Sequence, residues 1–223
     1  MPKIKDAINR SKAGTTKMGG TGQTKAADLH HTPILYPRVN ADDMTVLAID
    51  PGETHVGLAV GCRYFVEGPG TDPQGMDEWV LQAPGWRVYD VAELTPPEFV
   101  RWFKDSIQHF DAVTCEKFTL YPHLAKEQIG SEMPTSKLIG WIENTIMLWN
   151  EDMTKNPAGP AYRYPEIDYT SYPANIHKGT SSVMKKRDIP FVSPLTPDHA
   201  RSAELHFWHM LIRAGLVEGV TLA

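Results

Sequence analysis

The stretch Val46 to Val60, VLAIDPGETHVGLAV, constrains the fold more than any other part of the chain. Val46-Leu47-Ala48-Ile49 is apolar at every position, and a run without polar alternation reads as a strand buried on both faces. Asp50 closes that run. Pro51-Gly52 is strong turn punctuation, and Val56-Gly57-Leu58-Ala59-Val60 returns as a second strand, so the segment reads as a hairpin with a carboxylate at its mouth. Such a carboxylate either caps the strand through an Asx turn or handles a metal or phosphate. Asp-Pro-Gly is common turn chemistry, and the stretch by itself leaves both readings open.

A chain of 223 residues, 41% of them hydrophobic, fits one soluble domain around one core, with no apolar run long enough to span a bilayer. The N-terminus lacks the apolar stretch of a secretory signal, and Cys62 and Cys115 stand without CxxC spacing. A reducing cytoplasm is the expected location, with neither disulfides nor a cysteine zinc site.

The formal net charge of −5 argues against a protein that coats nucleic acid, but it hides an asymmetry. Met1 to Asp28 carries Lys3, Lys5, Arg10, Lys12, Lys17 and Lys25 against Asp6 and Asp28, a surplus of four cations that leaves −9 for the remainder. Its Gly, Ser, Thr and Lys content marks residues 1–42 as a disordered basic arm and approach, followed by the ordered domain at 43–223. The arm serves either as a solubilising tail or as a DNA-touching segment. Gly19 to Lys25 lacks the GxxxxGK[ST] spacing and the preceding strand of a P-loop. His30-His31 lies in an irregular, proline-flanked segment and is expected to be solvated.

Further along, Glu67 to Gly85 is rich in Gly, Pro and Asp and reads as a loop, with Trp86 to Tyr89 as a third strand. Thr95-Pro96-Pro97-Glu98 starts a helix whose apolar residues Phe99, Val100, Phe103 and Ile107 recur at helical spacing. Ala112 to Cys115 is a second buried strand, and it too ends in a carboxylate, Glu116. Two carboxylates at the ends of neighbouring strands would lie close together; the alternative is a surface Glu paired with Lys117. Phe118 and Tyr121 sit where aromatics stack on a splayed base or pack in the core.

Pro134 to Trp149 places Leu138, Ile139, Ile142, Ile146 and Trp149 on one face of a long amphipathic helix. Tyr162 to Tyr172 reads as a loop and a last strand, and Pro173 to Lys186 as a helix or turn. There Lys178, Lys185, Lys186 and Arg187 form either a set of phosphate contacts or a solvated face. The final helix is expected to take Thr196 as N-cap and Pro197 at N1, and to run to Gly215. His199, Ser202 and Ala203 share one of its faces and Glu204 is turned away, while Asp198 can reach the same site from the frayed start. Asp198 also suits the helix dipole, and His206 and His209 read as half-buried helix residues.

Taken in order, Ile49-Asp50-Pro51-Gly52 with Gly57, then Cys115-Glu116-Lys117-Phe118, then His199-Ala200-Arg201-Ser202-Ala203 resemble the acidic motifs of RuvC-type Holliday-junction resolvases, particularly phage versions. The resemblance spans roughly Thr45 to Ala214 and follows the RNase H-like order of motifs. It implies an α/β fold with a mixed five-stranded sheet flanked by helices, two Mg²⁺ (or Mn²⁺) ions, and a homodimer that nicks four-way junctions in the cytoplasm, that of an infected host if the chain is phage-encoded. It further implies that Asp50 bridges both ions, with Glu116 on one and His199 on the other, and that Asp198 or Ser202 completes the set. The expected DNA contacts are Lys178, for which the resemblance implies a phosphate contact, with Lys185 and Lys186 of the same cation cluster and Lys117 and Phe118 directly after Glu116.

The chain departs from the family pattern in two places. Two acids usually stand at the positions matching His199 and Ser202, and Ser202 removes a charge that Asp198 or an ordered water has to replace. Tyr172-Pro173-Ala174-Asn175-Ile176-His177-Lys178 only approximates the family's Tyr-x-Pro-x-x-Val-Lys. A catalytically inactive RNase H-like module that binds DNA or a replication partner is the alternative. A sugar-kinase or actin-like ATPase needs a second nucleotide-binding half for which this chain is too short.

Overall fold

The computed structural model describes residues 29–33, 35, 44–64, 67–71, 77–81, 85–117, 133–155, 166–193 and 198–217. The strands are β1 Thr45–Pro51, β2 Val56–Tyr64, β3 Glu67–Thr71, β4 Asp77–Leu81, β5 Gly85–Leu94, β6 Ala112–Lys117 and β7 Asp168–Pro173. The helices are α1 Pro96–Ser106, α2 Pro134–Lys155, α3 His177–Lys186 and α4 His199–Arg213, with short 3₁₀ turns at Ile107–His109 and Ala174–Ile176.

Five strands form one mixed sheet in the order β5-β2-β1-β6-β7, flanked by helices on both faces, as expected of an RNase H-like α/β fold. β2 is antiparallel to both β1 and β5, whereas β6 is parallel to both β1 and β7. β1 is buried along its whole length, and the period-2 alternation of a strand divides it between two cores. Leu47 and Ile49 pack with Phe99 and Phe103 of α1 and with Ile142 of α2. Val46 and Ala48 pack on the opposite face with Met184 of α3 and Ala203 and Phe207 of α4. An unbroken apolar run is therefore required at β1, because neither of its faces meets water.

The same parity aims the acids. Asp50 follows Val46 and Ala48 onto the α4 face, and on β6 Glu116 follows Ala112 onto that face. Ile49 is registered with Cys115, so the next residue of each strand, Asp50 and Glu116, emerges beside the other at one end of the sheet. Opposite β1 on β2, the α4 face carries only Gly57, Ala59 and Gly61. A Cβ on Gly57 would sit 2.1 Å from the His199 carbonyl carbon and oxygen, and one on Gly61 would sit 2.4 Å from the Phe207 ring. Small residues let α4 lie directly on the sheet.

Four expectations about secondary structure are corrected here, one loop, the ends of two elements and the start of one helix. Glu67 to Gly85, expected as a loop, holds β3 and β4 paired as a separate antiparallel ribbon. β5 continues to Leu94 instead of ending at Tyr89, and α2 runs on to Lys155. α4 starts at His199 with Asp198 as N-cap, while Thr196 and Pro197 lie outside the described residues. Within the segment expected as arm and approach, Leu29 is buried in the α4-side core, and His31 Nε2 lies 3.0 Å from Asp90 Oδ1. His30 stays exposed, 3.4 Å from Glu98. Among the described residues, no helix is long and apolar enough to cross a membrane.

Glu204 is turned away from the His199 face as expected, and it has a structural task there. Its buried carboxylate accepts hydrogen bonds from Val192 N at 2.9 Å, Ser193 N at 2.8 Å and the Ser193 hydroxyl, so it fixes the segment ahead of α4. The Arg201 guanidinium covers the Phe191 ring at 3.5 Å and donates to the Ser193 carbonyl. Glu204→Gln turns an amide nitrogen toward these donors and is expected to lower stability by about 3 kcal/mol, read as a drop in the urea midpoint. A loss under ~0.5 kcal/mol, the range of ordinary surface substitutions, would mean that the segment is held by other contacts.

Candidate metal centre

Where β1 and β6 end, Asp50 and Glu116 meet two histidines from α4 and one from α3. His199 is the first residue of α4, and its Nδ1 lies 2.7 Å from Asp50 Oδ2. His206, seven residues on, returns to nearly the same helical stripe, and its Nε2 lies 3.3 Å from Glu116 Oε2. Between them in sequence, Ala203 is buried in the core on the α4 face of the sheet. The third histidine comes from the neighbouring strand. β7 pairs with β6 as far as Lys117↔Pro173, so the 3₁₀ turn after Pro173 sets His177 beside Glu116 at the head of α3.

Glu116, His177 and His206 each present a ligand atom within 4.8 Å of the others, a group able to hold a metal ion. The His177 and His206 rings meet edge to face with centroids 5.3 Å apart. His206 is completely buried, and His177 Nε2 is a buried nitrogen with no hydrogen-bond partner among the described residues. Behind His206, His209 packs its ring against Tyr172 and shares a hydrogen bond with the Thr180 hydroxyl at 3.0 Å.

A third carboxylate completes the row across the sheet. Glu93 on β5 is registered with Gly57, is 5% exposed, and accepts from the backbone N of Ala200 at 3.2 Å in the first turn of α4. It holds the helix end that carries His199, where carboxylates are favoured by the unpaired N–H groups.

Burial and proximity move the protons of this site. Desolvation pushes Asp50 up to about 6 against the opposing pull of its His199 hydrogen bond, and the nearby Glu116 charge pushes the same way. Burial also acts upward on Glu116, but the hydrogen bond and charge of His206 hold it below the usual carboxylate range. The hydrogen bond to Asp50 raises His199, whereas burial and the neighbouring His206 lower His177. Two adjacent carboxyls that resist joint ionisation and a half-buried neutral imidazole form a setting into which a cation fits in place of a proton.

Asp50, Glu116 and His199, all expected from the sequence, are brought together. Asp198 is exposed at the α4 N-cap, near enough for its charge to act on both His199 and His177. Ser202 is half-buried one turn into α4. Lys117, Lys178, Lys185 and Lys186 are exposed, the last three along α3, which starts at the site. Phe118 and Tyr121 lie outside the described residues. His177, His206 and Glu93 were not among the expected site residues. His206 is legible in retrospect as the i+7 neighbour of His199, and Glu93 as the last acid before the α1 cap.

No family model and no curated protein matches the chain. Among solved structures, Thermus thermophilus RuvC in complex with Holliday junction substrate is 13% identical, with 77% of this chain and 97% of that chain covered and a TM-score of 0.39. The Thermus thermophilus RuvC structure is 15% identical over the same shares, with a TM-score of 0.42. Each is a distant structural likeness at low sequence identity.

Proposed function

We propose that this chain is a divalent-metal-dependent endonuclease that hydrolyses phosphodiesters in branched DNA, four-way junctions foremost, and acts as a homodimer. One observation carries the reading. Two strand-end carboxylates, aimed at the same face by strand parity, meet histidines of a single helix at the open end of the sheet. The ordered motifs that resemble the RuvC-type resolvases supply the junction preference.

Among the described residues Glu116, His177 and His206 are a group able to hold a metal ion, and we extend it to Asp50 and His199 beside them. Asp50 would serve two ions, with Glu116 on one and His199 on the other, and either Asp198 or Ser202 would complete the shell. Bound Mg²⁺ or Mn²⁺ would supply charge for water activation and for the departing 3′ oxygen. The chain itself does the positioning. Glu93 and the Glu204 clamp fix the start of α4, and His199 Nδ1 orients the Asp50 carboxylate. Lys178, Lys185 and Lys186 along α3, with Lys117 at the end of β6, would contact the phosphate backbone. They bear the charge that places a strand without reading its sequence.

The test is cleavage of a labelled four-way junction against linear duplex of the same sequence, with Mg²⁺, with Mn²⁺ and with EDTA. Paired, metal-dependent nicks in the junction are expected. Cleavage of linear duplex at an equal rate would remove the branch selectivity. Junction binding with no cleavage under either metal would replace the enzyme with a DNA-binding module.

A further inference from the structure

We propose that Glu116, His177 and His206 form a site for one borderline transition-metal ion of the Zn²⁺ type, so that the ion assigned above to Glu116 is of this type and not Mg²⁺. This sharpens the metal-dependent reading of the same centre, and rests on it for the role of the ion though not for its binding.

Donor chemistry is the first argument. Mg²⁺ takes oxygen ligands in near-octahedral geometry and keeps several waters, whereas two imidazoles with one carboxylate suit Zn²⁺ and its neighbours in the first transition row. Three protein ligands also leave a fourth position for water or a phosphate oxygen, the arrangement of open zinc sites.

Geometry is the second. Donors about 2.0–2.1 Å from a tetrahedral ion lie ~3.3–3.4 Å from one another. The 3.3 Å between His206 Nε2 and Glu116 Oε2 is already such an edge, and His177 completes the trio within 4.8 Å. A small inward turn of His177, half-buried at the head of α3, closes the set.

The third argument is a nitrogen left over. His177 Nε2 is buried and has no hydrogen-bond partner among the described residues, and a buried polar atom is normally satisfied. A metal ion would take up its lone pair. The three ligands also come from separate elements, β6, α3 and α4, so an ion there would tie both α4-side helices to the sheet.

The experiment is a titration of untagged, full-length, metal-free protein with Zn²⁺ by calorimetry and with Co²⁺ by visible absorption, neither of which reads cleavage. One equivalent is expected to bind, Co²⁺ giving the intense visible bands of a tetrahedral ion, and millimolar Mg²⁺ failing to displace it. His177→Ala is expected to weaken binding by at least the ~100-fold that loss of even a ligand's hydrogen-bonding partner can bring. His177→Gln, which keeps a polar side chain at the helix start, guards against loss of fold, and circular dichroism checks both variants. No binding to wild type, or equal binding to a folded His177 variant, would overturn the proposal. Mg²⁺-dependent cleavage without Zn²⁺ binding would overturn it and leave the nuclease reading standing. Zn²⁺ binding without cleavage of any junction would do the reverse.

Discussion

Asp50→Asn is expected to abolish junction cleavage while making the metal-free protein more stable at pH 7. The catalytic loss follows from the position of Asp50 as the one carboxylate, among the described residues, that faces both His199 and Glu116. An amide keeps the shape and still accepts from His199 Nδ1, but it withdraws the charge that holds cations. Several kcal/mol of transition-state stabilisation then disappear, at least about 1,000-fold in rate at ~1.4 kcal/mol per factor of ten. The stability gain has the opposite origin. In the fold Asp50 ionises at about 6, against an ordinary 3.8, because burial and Glu116 disfavour its charge. Between those two values the folded state holds more protons than the unfolded state, so wild type loses stability as pH rises through the window, and Asn does not titrate. The advantage of Asp50→Asn should therefore be small near pH 4, grow as pH rises, and be complete above pH 6. The value of about 6 already contains the opposing pull of His199, so the gain amounts to about 3 kcal/mol, or ~6–12 °C in melting temperature for a domain of this size. Added divalent ion should narrow or reverse the gap, since it binds the folded wild type and relieves the repulsion. Cleavage retained in Asp50→Asn would sink the nuclease reading, and a stability gap independent of pH would sink the assignment of the buried charge.

The framework of this site was legible because it rests on short-range rules. An apolar run ending in a carboxylate occurs twice, at Asp50 and at Glu116. Strand parity then places both acids on one face without any knowledge of the rest of the chain. The capping sequence Thr95-Pro96-Pro97-Glu98 likewise announces α1, and Glu98 does accept from the Thr95 backbone N at 2.9 Å. What escaped depends on long-range partners. His206 follows His199 at a recognisable interval, but a histidine on an apolar helix usually packs, and nothing local shows that Glu116 waits opposite it. His177 follows a proline turn that periodicity cannot orient, and its place is set only by the pairing of β7 with β6. The β3–β4 ribbon was missed for the same reason. Glu67 to Thr71, EGPGT, has turn composition, and only its ladder with Asp77 to Leu81 makes it a strand. In each case the local signal favoured the ordinary reading, and tertiary pairing decided against it.

Gly57→Ala should damage both fold and site, by more than about 3 kcal/mol in stability, the upper end of ordinary overpacking. The reason is the identity of the neighbour. The added methyl would lie 2.1 Å from the His199 carbonyl and 2.6 Å from Ala200 N, and backbone cannot rotate aside as a side chain can. Either α4 lifts off the sheet or β2 bends away, and both open the core around Ala59, Ala200 and Ala203. The displaced atoms belong to His199 itself, so any relaxation also moves its ring away from Asp50. Misplacement of ~1 Å in a reacting constellation can lower the rate about 100-fold, so cleavage should fall even at temperatures where the variant stays folded. Gly140→Ala is the matched control. Gly140 lies exposed within α2 with nothing within 4 Å of its added methyl, so the same chemical change there should stabilise by about 0.5–1 kcal/mol through helix propensity. Opposite signs at the two glycines, read as urea midpoints, would establish that close approach of α4 to β2 fixes His199 against Asp50. Equal, small effects would mean that this contact is looser than the geometry requires, and that His199 is positioned by the Glu93 and Glu204 contacts instead.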